Sequence, residues 1–486
     1  MSYFVGIDIG TSSVKVAAFS PNGQLLAKAA KDYPLHSPQP GFQEQDPELI
    51  FRSTLGVCKE VFQQLDGAPL AMSFSSAMHS LMALDRQGNA ITPVITWADS
   101  RAAEITHNFK SSAESLQIYL ETGTPIHPMS PLCKLKWFRK EAPELFAKAD
   151  KWLGIKEYVL YHLTGQLFMD YSLASATGLF HLQQKTWHSR ALAEAGISPS
   201  NLPELVPTDH IIKPIREAFA TDLQIPAQTP IVIGASDGCL ANLGAMALTA
   251  DQTVVTIGTS AAIRTTLPKS LTDQKSRIFN YWLDSGLFIV GGASNNGGVV
   301  LDWYRRHFLQ DQNLVEVLRH LEEVPPGADG LLFFPYLLGE RAPLWMPSAR
   351  GGFWGLSIQH RPPHFVRAMV EGICFNLYLI GQALEELGYP IQEICANGGF
   401  TQSRAWVQLL ANIFGKTVRV QGHQEGSAFG AVLVAMKALG VIADFAEMQK
   451  VVLTEDIFTP DSQQVMAYQP LLRKYIDLYS HFKGRF

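Results

Sequence analysis

Two short segments repeat one pattern, Ile9-Gly10-Thr11-Ser12 and Ile257-Gly258-Thr259-Ser260. In each, apolar runs on both sides predict a strand entering the turn and a strand leaving it. Glycine there lets the backbone approach a bulky anion closely. Successive N–H groups, with the Thr and Ser hydroxyls, then donate to phosphate oxygens. Asp8, at the end of the first strand, is placed to hold a hydrated Mg2+, which keeps several waters and uses one or two carboxylates. An ordinary hairpin turn explains either segment alone. As a pair, offset by 248 residues, they make a clamp on phosphates from opposite sides.

A third segment, Ile233-Gly234-Ala235-Ser236-Asp237-Gly238, predicts a strand-to-helix junction that faces a cleft. Asp237 there can accept a proton from a hydroxyl attacking phosphorus. Two other readings stay open. Ser236 and Asp237 can simply cap a helix, and Gly234-x-Ser236-x-Gly238 matches the nucleophile elbow of hydrolases. The elbow reading lacks an upstream oxyanion loop and leaves the paired turns unexplained.

Asn397-Gly398-Gly399-Phe400 precedes a predicted helix, and Gly297-Gly298 opens another. Paired glycines let a flat ring such as adenine lie on the backbone, although plain strand-to-helix turns look the same. Met78-His79 and Trp97-Ala98-Asp99-Ser100-Arg101 follow strands and suit a polyhydroxylated ligand, with Arg or His able to pair a carboxylate. A structural His and a core Trp are the alternative. Gly415-Lys416-Thr417 imitates the end of a phosphate loop, but Leu410 stands where its first glycine belongs. The apolar stripe 378–387 reads as core.

These residues need elements to position them. Apolar patterning predicts strands over 3–9, 14–19, 25–31, 71–75, 81–85, 231–234, 253–257, 262–266, 288–291 and 418–420. Helices are predicted over 47–64, 100–108, 143–148, 295–307, 363–387, 402–414 and 425–439. Strands feeding helices imply an α/β protein. The repeat implies two similar lobes in 486 residues, divided near 245–252. Charged residues are 17% and hydrophobic residues 47%, which excludes a disordered chain. A net charge of −5 with no basic block argues against nucleic acid or an anionic membrane as partner. Five scattered cysteines without a CxxC pair form neither a disulfide framework nor a zinc site. With no leader or membrane span apparent, a cytoplasmic protein is expected.

The chain resembles the FGGY family of carbohydrate kinases over roughly residues 3–440. Met129-x-Pro131-x-x-Lys134-Leu135-x-Trp137-Phe138-x-Lys140-Glu141 fits one family signature. Gly351-x-Phe353-x-Gly355-Leu356, followed after seven residues by His364-Phe365-x-x-Ala368-Met369-Val370-Glu371, fits the other. The resemblance implies the two-lobed actin/hexokinase/Hsp70-like ATPase fold, with duplicated ribonuclease H-like domains around a cleft. Residues 1–246 would form the sugar-side lobe and 247–486 the nucleotide-side lobe. It also implies Asp237 as catalytic base and Gly10, Thr11, Ser12, Gly258, Thr259 and Ser260 on the ATP phosphates. Gly298, Gly399 and Ser403 fall on the adenosine pocket, where glycerol kinases usually carry Asn at the position of Ser403. Asp8 falls on the Mg2+ side, and Met78, His79, Trp97, Asp99 and Asp237 on the acceptor.

Within the family, segments 73–80, 122–131 and 170–178 resemble the branch acting on gluconate. Xylulose kinases usually carry Gln-Met-His-Gly around Met78-His79, and glycerol kinases carry Arg-Glu there. The implied reaction is ATP-dependent phosphorylation of a sugar acid, D-gluconate to 6-phospho-D-gluconate. Xylulose or another sugar is the alternative acceptor, and an actin- or Hsp70-like ATPase the alternative from another class. Gly238 departs from relatives with Gln or Asn, so one acceptor hydrogen bond of those relatives is missing here or supplied elsewhere. The partners implied are a small sugar acid and ATP, and a homodimer is left open.

Overall fold

The computed structural model describes residues 2–421, 425–450 and 454–485. Two mixed sheets dominate it. The first contains β1 (Phe4–Ile9), β2 (Ser13–Phe19), β3 (Leu25–Asp32), β4 (Ala71–Ser76), β5 (Ile211–Ile212) and β6 (Ile231–Ser236), in the order β5-β6-β4-β1-β2-β3. The second contains β7 (Gln252–Ile257), β8 (Ala261–Leu267), β9 (Phe279–Asp284), β10 (Leu287–Ser294), β11 (Glu393–Asn397), β12 (Thr417–Gln421) and β13 (Thr454–Phe458), in the order β9-β10-β8-β7-β11-β12-β13.

The duplication is visible in strand direction as well as in order. β1 runs antiparallel to β2 and parallel to β4, and β4 runs parallel to β6. β7 repeats this with β8, β11 and β12. Five strands of each sheet thus share one topology, β3-β2-β1-β4-β6 matching β10-β8-β7-β11-β12. The central strands are buried on both faces, which explains their near-continuous apolar runs.

Helices cover the sheets: α1 (Pro47–Phe62), α2 (Pro131–Glu141), α3 (Ile155–Thr164), α4 (Asp237–Gly244), α5 (Gly298–Phe308), α6 (Pro362–Glu386), α7 (Arg404–Phe414), α8 (Gly426–Ala438) and α9 (Ser462–Phe482). α4 and α8 join the two sheets at close range. A Cβ added to Gly244 would strike the Gly426 carbonyl, and one on Gly430 would strike that of Leu240. Gly6 on β1 similarly faces the Ala428 carbonyl. The carboxyl ends of β1, β6, β7 and β11 all deliver candidate functional residues, as expected of ligand sites in parallel α/β sheets.

Some elements differ from expectation. The helix expected from residue 100 begins at Ala103, because Asp99 Oδ1 accepts from the Arg101 N–H and folds 99–102 into a turn. The strand expected over 81–85 is Met82–Leu84 and pairs with Lys151–Leu153, outside both large sheets. Helices α2, α3 and α9 and strand β9 were not predicted. α2 and α3 bury Lys134, Lys156 and Glu157, whose charges mask the inward face.

Candidate active site

Asp237 is aimed by a distorted strand. The β4–β6 register shifts between Val232 and Ala235. Gly234 has φ +72° there, and a Cβ on it would strike the Phe74 carbonyl. A bulge that needs glycine therefore bends β6 just before it ends. Buried Lys156 fixes the bend, donating to the Ile233 carbonyl (3.0 Å) and pairing with Asp170 (2.6 Å). Asp170 also caps the short helix Tyr171–Ser175 by accepting from the Leu173 N–H (2.9 Å). The Ser172 and Ser236 hydroxyls meet at 2.9 Å. Ser236 is fully buried in that contact, which excludes it as the nucleophile of a hydrolase elbow.

The Asp237 carboxylate accepts from the Gly238 N–H (2.7 Å). Burial, and then the neighbouring Asp8 charge, push its pKa up to about 6, while Arg264 pulls the other way. A carboxylate so tuned suits proton acceptance near neutrality. Asp8 accepts from the Ser75 hydroxyl (2.7 Å) and is itself pushed upward by burial. Two buried carboxylates, one raising the proton affinity of the other, leave a local demand for a cation.

Beside Asp237 lies a cavity of about 190 Å³, walled by Thr11, Met78, His79, Trp97, Ser260, Arg264, Tyr281 and Arg341. Both Gly-Thr-Ser turns thus reach the same cavity as the candidate base. Its volume is below the roughly 300 Å³ at which drug-sized pockets begin, so it fits a small molecule. His79 Nδ1 donates to the Ala176 carbonyl (2.6 Å), which leaves Nε2 to accept from the Tyr281 hydroxyl (3.3 Å). Burial lowers its pKa to about 3, so the ring stays neutral. Trp97 Nε1 donates to Thr11 Oγ1 (2.7 Å), and the Arg341 guanidinium lies 4.5 Å above the Trp97 ring.

Asp99 requires a correction. Its carboxylate is buried against Arg101, accepts from Arg101 Nε (2.9 Å) and from the Gln43 N–H (2.7 Å), and does not line the cavity. Arg101 is itself sandwiched near the Phe42 and Trp137 rings. This pair braces the loop carrying Trp97 and stands apart from the cavity.

The remaining candidates gather at the far end of β7. Gly258 N–H donates to the Ser260 carbonyl (2.9 Å), as Gly10 N–H does to Ser13 (2.9 Å). Gly298 N–H donates to the Gly258 carbonyl (2.7 Å) at the start of α5. A Cβ on Gly398 would lie 2.6 Å from the Ile257 carbonyl, so the Gly398-Gly399 turn abuts the second Gly-Thr-Ser turn. Gly399 faces open space. Ser403 caps α7, accepting from the Trp406 N–H (3.3 Å).

Residues 3–244 match the N-terminal domain of the FGGY family of carbohydrate kinases, and residues 253–439 match its C-terminal domain. The chain belongs to this FGGY family. It is 42% identical to gluconokinase of Bacillus subtilis (strain 168), over 98% of this chain and 95% of that protein. Two solved Lactobacillus acidophilus structures, a gluconate kinase and a ligand-bound xylulose kinase, each superpose with a TM-score of 0.96. Each is 36% identical and covers 100% of this chain and 99% of its own.

The chain is therefore a carbohydrate kinase of the actin/hexokinase-like fold, with ATP as phosphoryl donor. No helix among the described residues is long and apolar enough to cross a membrane. Sequence reasoning missed three cationic residues of this kinase site. Arg264 and Arg341 line the cavity. Lys134, wholly buried, donates to the carbonyls of His79 (2.6 Å), Thr96 (2.8 Å) and Ile95 (3.3 Å) and so ties together the loops bearing His79 and Trp97. Arg264 and Lys134 had a signal: a lone charge inside an apolar strand or on the inward face of a helix is held there for a reason.

Proposed function

We propose that this kinase transfers the γ-phosphoryl group of ATP to the terminal hydroxyl of D-gluconate, giving 6-phospho-D-gluconate. One observation carries the choice of an acid. The cavity beside Asp237 is walled by two guanidinium groups, Arg264 and Arg341, that make no ion pair among the described residues. The likeness to the Bacillus gluconokinase supports it. Asp237 accepts the hydroxyl proton as the oxygen attacks phosphorus, and Met78, His79 and Trp97 shape the acceptor wall. Gly10, Thr11, Ser12, Gly258, Thr259 and Ser260 hold the phosphates, and Gly298, Gly399 and Ser403 border the adenosine. Most of the rate then comes from alignment and charge neutralisation.

Asp8, held by Ser75 and close enough to Asp237 to raise its pKa, is the residue that would hold a hydrated Mg2+. When bound, that ion supplies neutralisation of phosphate charge. Residues 1–246 form the acceptor lobe and 247–486 the nucleotide lobe. The described cysteines are all free and buried, which suits a reducing cytoplasm. A homodimer is the assembly to test by light scattering.

A ketose acceptor is the second reading, favoured by the equal likeness to the Lactobacillus xylulose kinase. An ADP-release assay with gluconate, xylulose, ribulose and glycerol separates the two. We expect gluconate to show the highest kcat/KM, by about tenfold or more. Xylulose in first place overturns the assignment.

A further inference from the structure

Arg264 is the one charged residue of β8, whose other members are buried. Its side chain reaches the start of α4. A Cβ built on Gly238 would lie 3.4 Å from Arg264 Nε and 3.5 Å from Nη2. The same added carbon would stand 2.9 Å from Met78 Cε. Glycine at 238 therefore leaves the room that the guanidinium occupies, and a longer side chain there would compete for it. In return Arg264 feels the Asp237 charge but receives few hydrogen bonds from the protein. Its recorded hydrogen bond is a long one, from Nη1 to Thr256 Oγ1 (3.4 Å).

Arg341 faces the same cavity and is only 8% exposed. Its Nη2 donates to the Ser294 carbonyl (3.1 Å), but its buried Nε has no hydrogen-bond partner among the described residues. The adjacent Glu340 supports the Arg341 charge through its field. Its carboxylate oxygens, however, make their hydrogen bonds with Ser294 Oγ (2.6 Å), the Asn295 N–H (3.1 Å), Asn296 Nδ2 (3.2 Å), the Arg341 backbone N–H (2.7 Å) and Asn376 Nδ2 (3.2 Å), not with the guanidinium. Burial lowers the pKa of Arg341 to about 10; Glu340 opposes the shift, and repulsion from Arg264 adds to it. Two guanidinium groups thus share one small cavity with a single lining carboxylate, that of Asp237. Leaving such groups unpaired is costly, and a planar carboxylate satisfies them through charge-assisted hydrogen bonds.

We infer that Arg264 and Arg341 together form the carboxylate-reading end of the acceptor site, and that the Gly238–Arg264 pairing selects a sugar acid over a neutral ketose. This rests on the gluconate reading above and adds the residues that enforce it. A neutral sugar entering the cavity would dehydrate both guanidiniums without pairing them, and sites built around buried polar partners discriminate strongly against ligands that lack the complement. Asp237 meets the hydroxyl end of the same molecule.

The test compares the full-length wild type with Arg264→Gln, Arg264→Lys and Gly238→Asn, measuring kcat and KM for D-gluconate, D-xylulose and D-glucitol. We expect Arg264→Gln to lower kcat/KM for gluconate by about 10²-fold or more, mainly through KM. The gluconate-to-xylulose ratio should collapse, and ATP affinity should be retained. Arg264→Lys should recover part of the loss. Gly238→Asn, which keeps the arginine but takes its space, should shift selectivity the same way and decides the matter if Arg264→Gln does not fold. An equal kcat loss on acid and ketose would mean that Arg264 serves the transferred phosphoryl group, and would overturn the inference. So would acid selectivity unchanged in both Arg264→Gln and Gly238→Asn. A wild type that ignores gluconate defeats the acceptor assignment instead, so the two failures are distinguishable.

Discussion

The two Gly-Thr-Ser turns share a sequence and a strand context, yet they are held by different means. The first is strapped by side chains. The Tyr33 hydroxyl donates to the Gly10 carbonyl (2.5 Å), Gln45 Nε2 to the Thr11 carbonyl (2.5 Å), and Trp97 Nε1 to Thr11 Oγ1 (2.7 Å). The second is strapped by backbone. Gly298 N–H donates to the Gly258 carbonyl (2.7 Å), and the Gly297 and Val299 N–H groups donate to the Thr259 carbonyl (3.1 and 3.2 Å). Of the side-chain straps, Trp97 comes from the cavity wall, whereas the backbone straps come from the opening of α5. On the proposed reading, the duplicated turn is wired on one side to the acceptor and on the other to the nucleotide element.

Asp237 stands between the two turns, so its loss should be felt through neither alone. Asp237→Asn should lower kcat by about 10²–10⁴-fold with ATP binding intact, as measured by steady-state assay and calorimetry. Turnover near wild type would remove the base from the mechanism. Gly297→Ala attacks only the second turn, because the new Cβ would lie 2.5 Å from the Ser260 carbonyl. We expect KM for ATP to rise about tenfold while the acceptor KM holds, since the backbone of the turn must shift. A change confined to the acceptor KM would invert the comparison. Trp97→Phe cuts one strap of the first turn and keeps a ring under Arg341. The lost hydrogen bond is worth about 1 kcal/mol. Acceptor kcat/KM should therefore fall about fivefold, with ATP affinity in the absence of acceptor unmoved. Parallel losses in both ligands would show that the turns are not separately wired.

Much of this was legible in the sequence because the chemistry sits at chain landmarks. A glycine turn between apolar runs and an acid after a strand are local patterns, so Gly10, Gly258 and Asp237 could be found without coordinates. The parallel order of β1, β4 and β6 was implied by the repeat but needed the pairing partners to be seen. Asp99 misled for the opposite reason. Acidity beside a tryptophan looks like a ligand site, and only the fold reveals that Gln43 and Arg101, from different turns, consume it. Arg264, Arg341 and Lys134 were invisible as a set because they lie far apart in sequence: β8 and the segment between α5 and α6 bring the two arginines to one cavity, and α2 carries Lys134 to the loops of His79 and Trp97. Gly238 was noted as a departure, but its meaning depended on which side chain fills the gap.

The smallest predicted effect is on pH. Asp237 must be ionised to take a proton, and its pKa stands at about 6, above the ordinary carboxylate range. Activity should therefore fall as pH drops through about 6, and the acid limb of kcat/KM should report this group. His79 is held neutral, with a pKa of about 3, and does not titrate in that window. The two sides of the cleft push Asp237 in opposite senses, since Asp8 beside the first turn raises its proton affinity and Arg264 beside the second lowers it. Asp8→Asn should accordingly shift the acid limb of the residual activity to lower pH, and Arg264→Gln should shift it to higher pH, where the carboxylate is protonated sooner. Both limbs moving the same way would mean that the profile reports another group, and that Asp237 is not the proton acceptor lying between two differently wired turns.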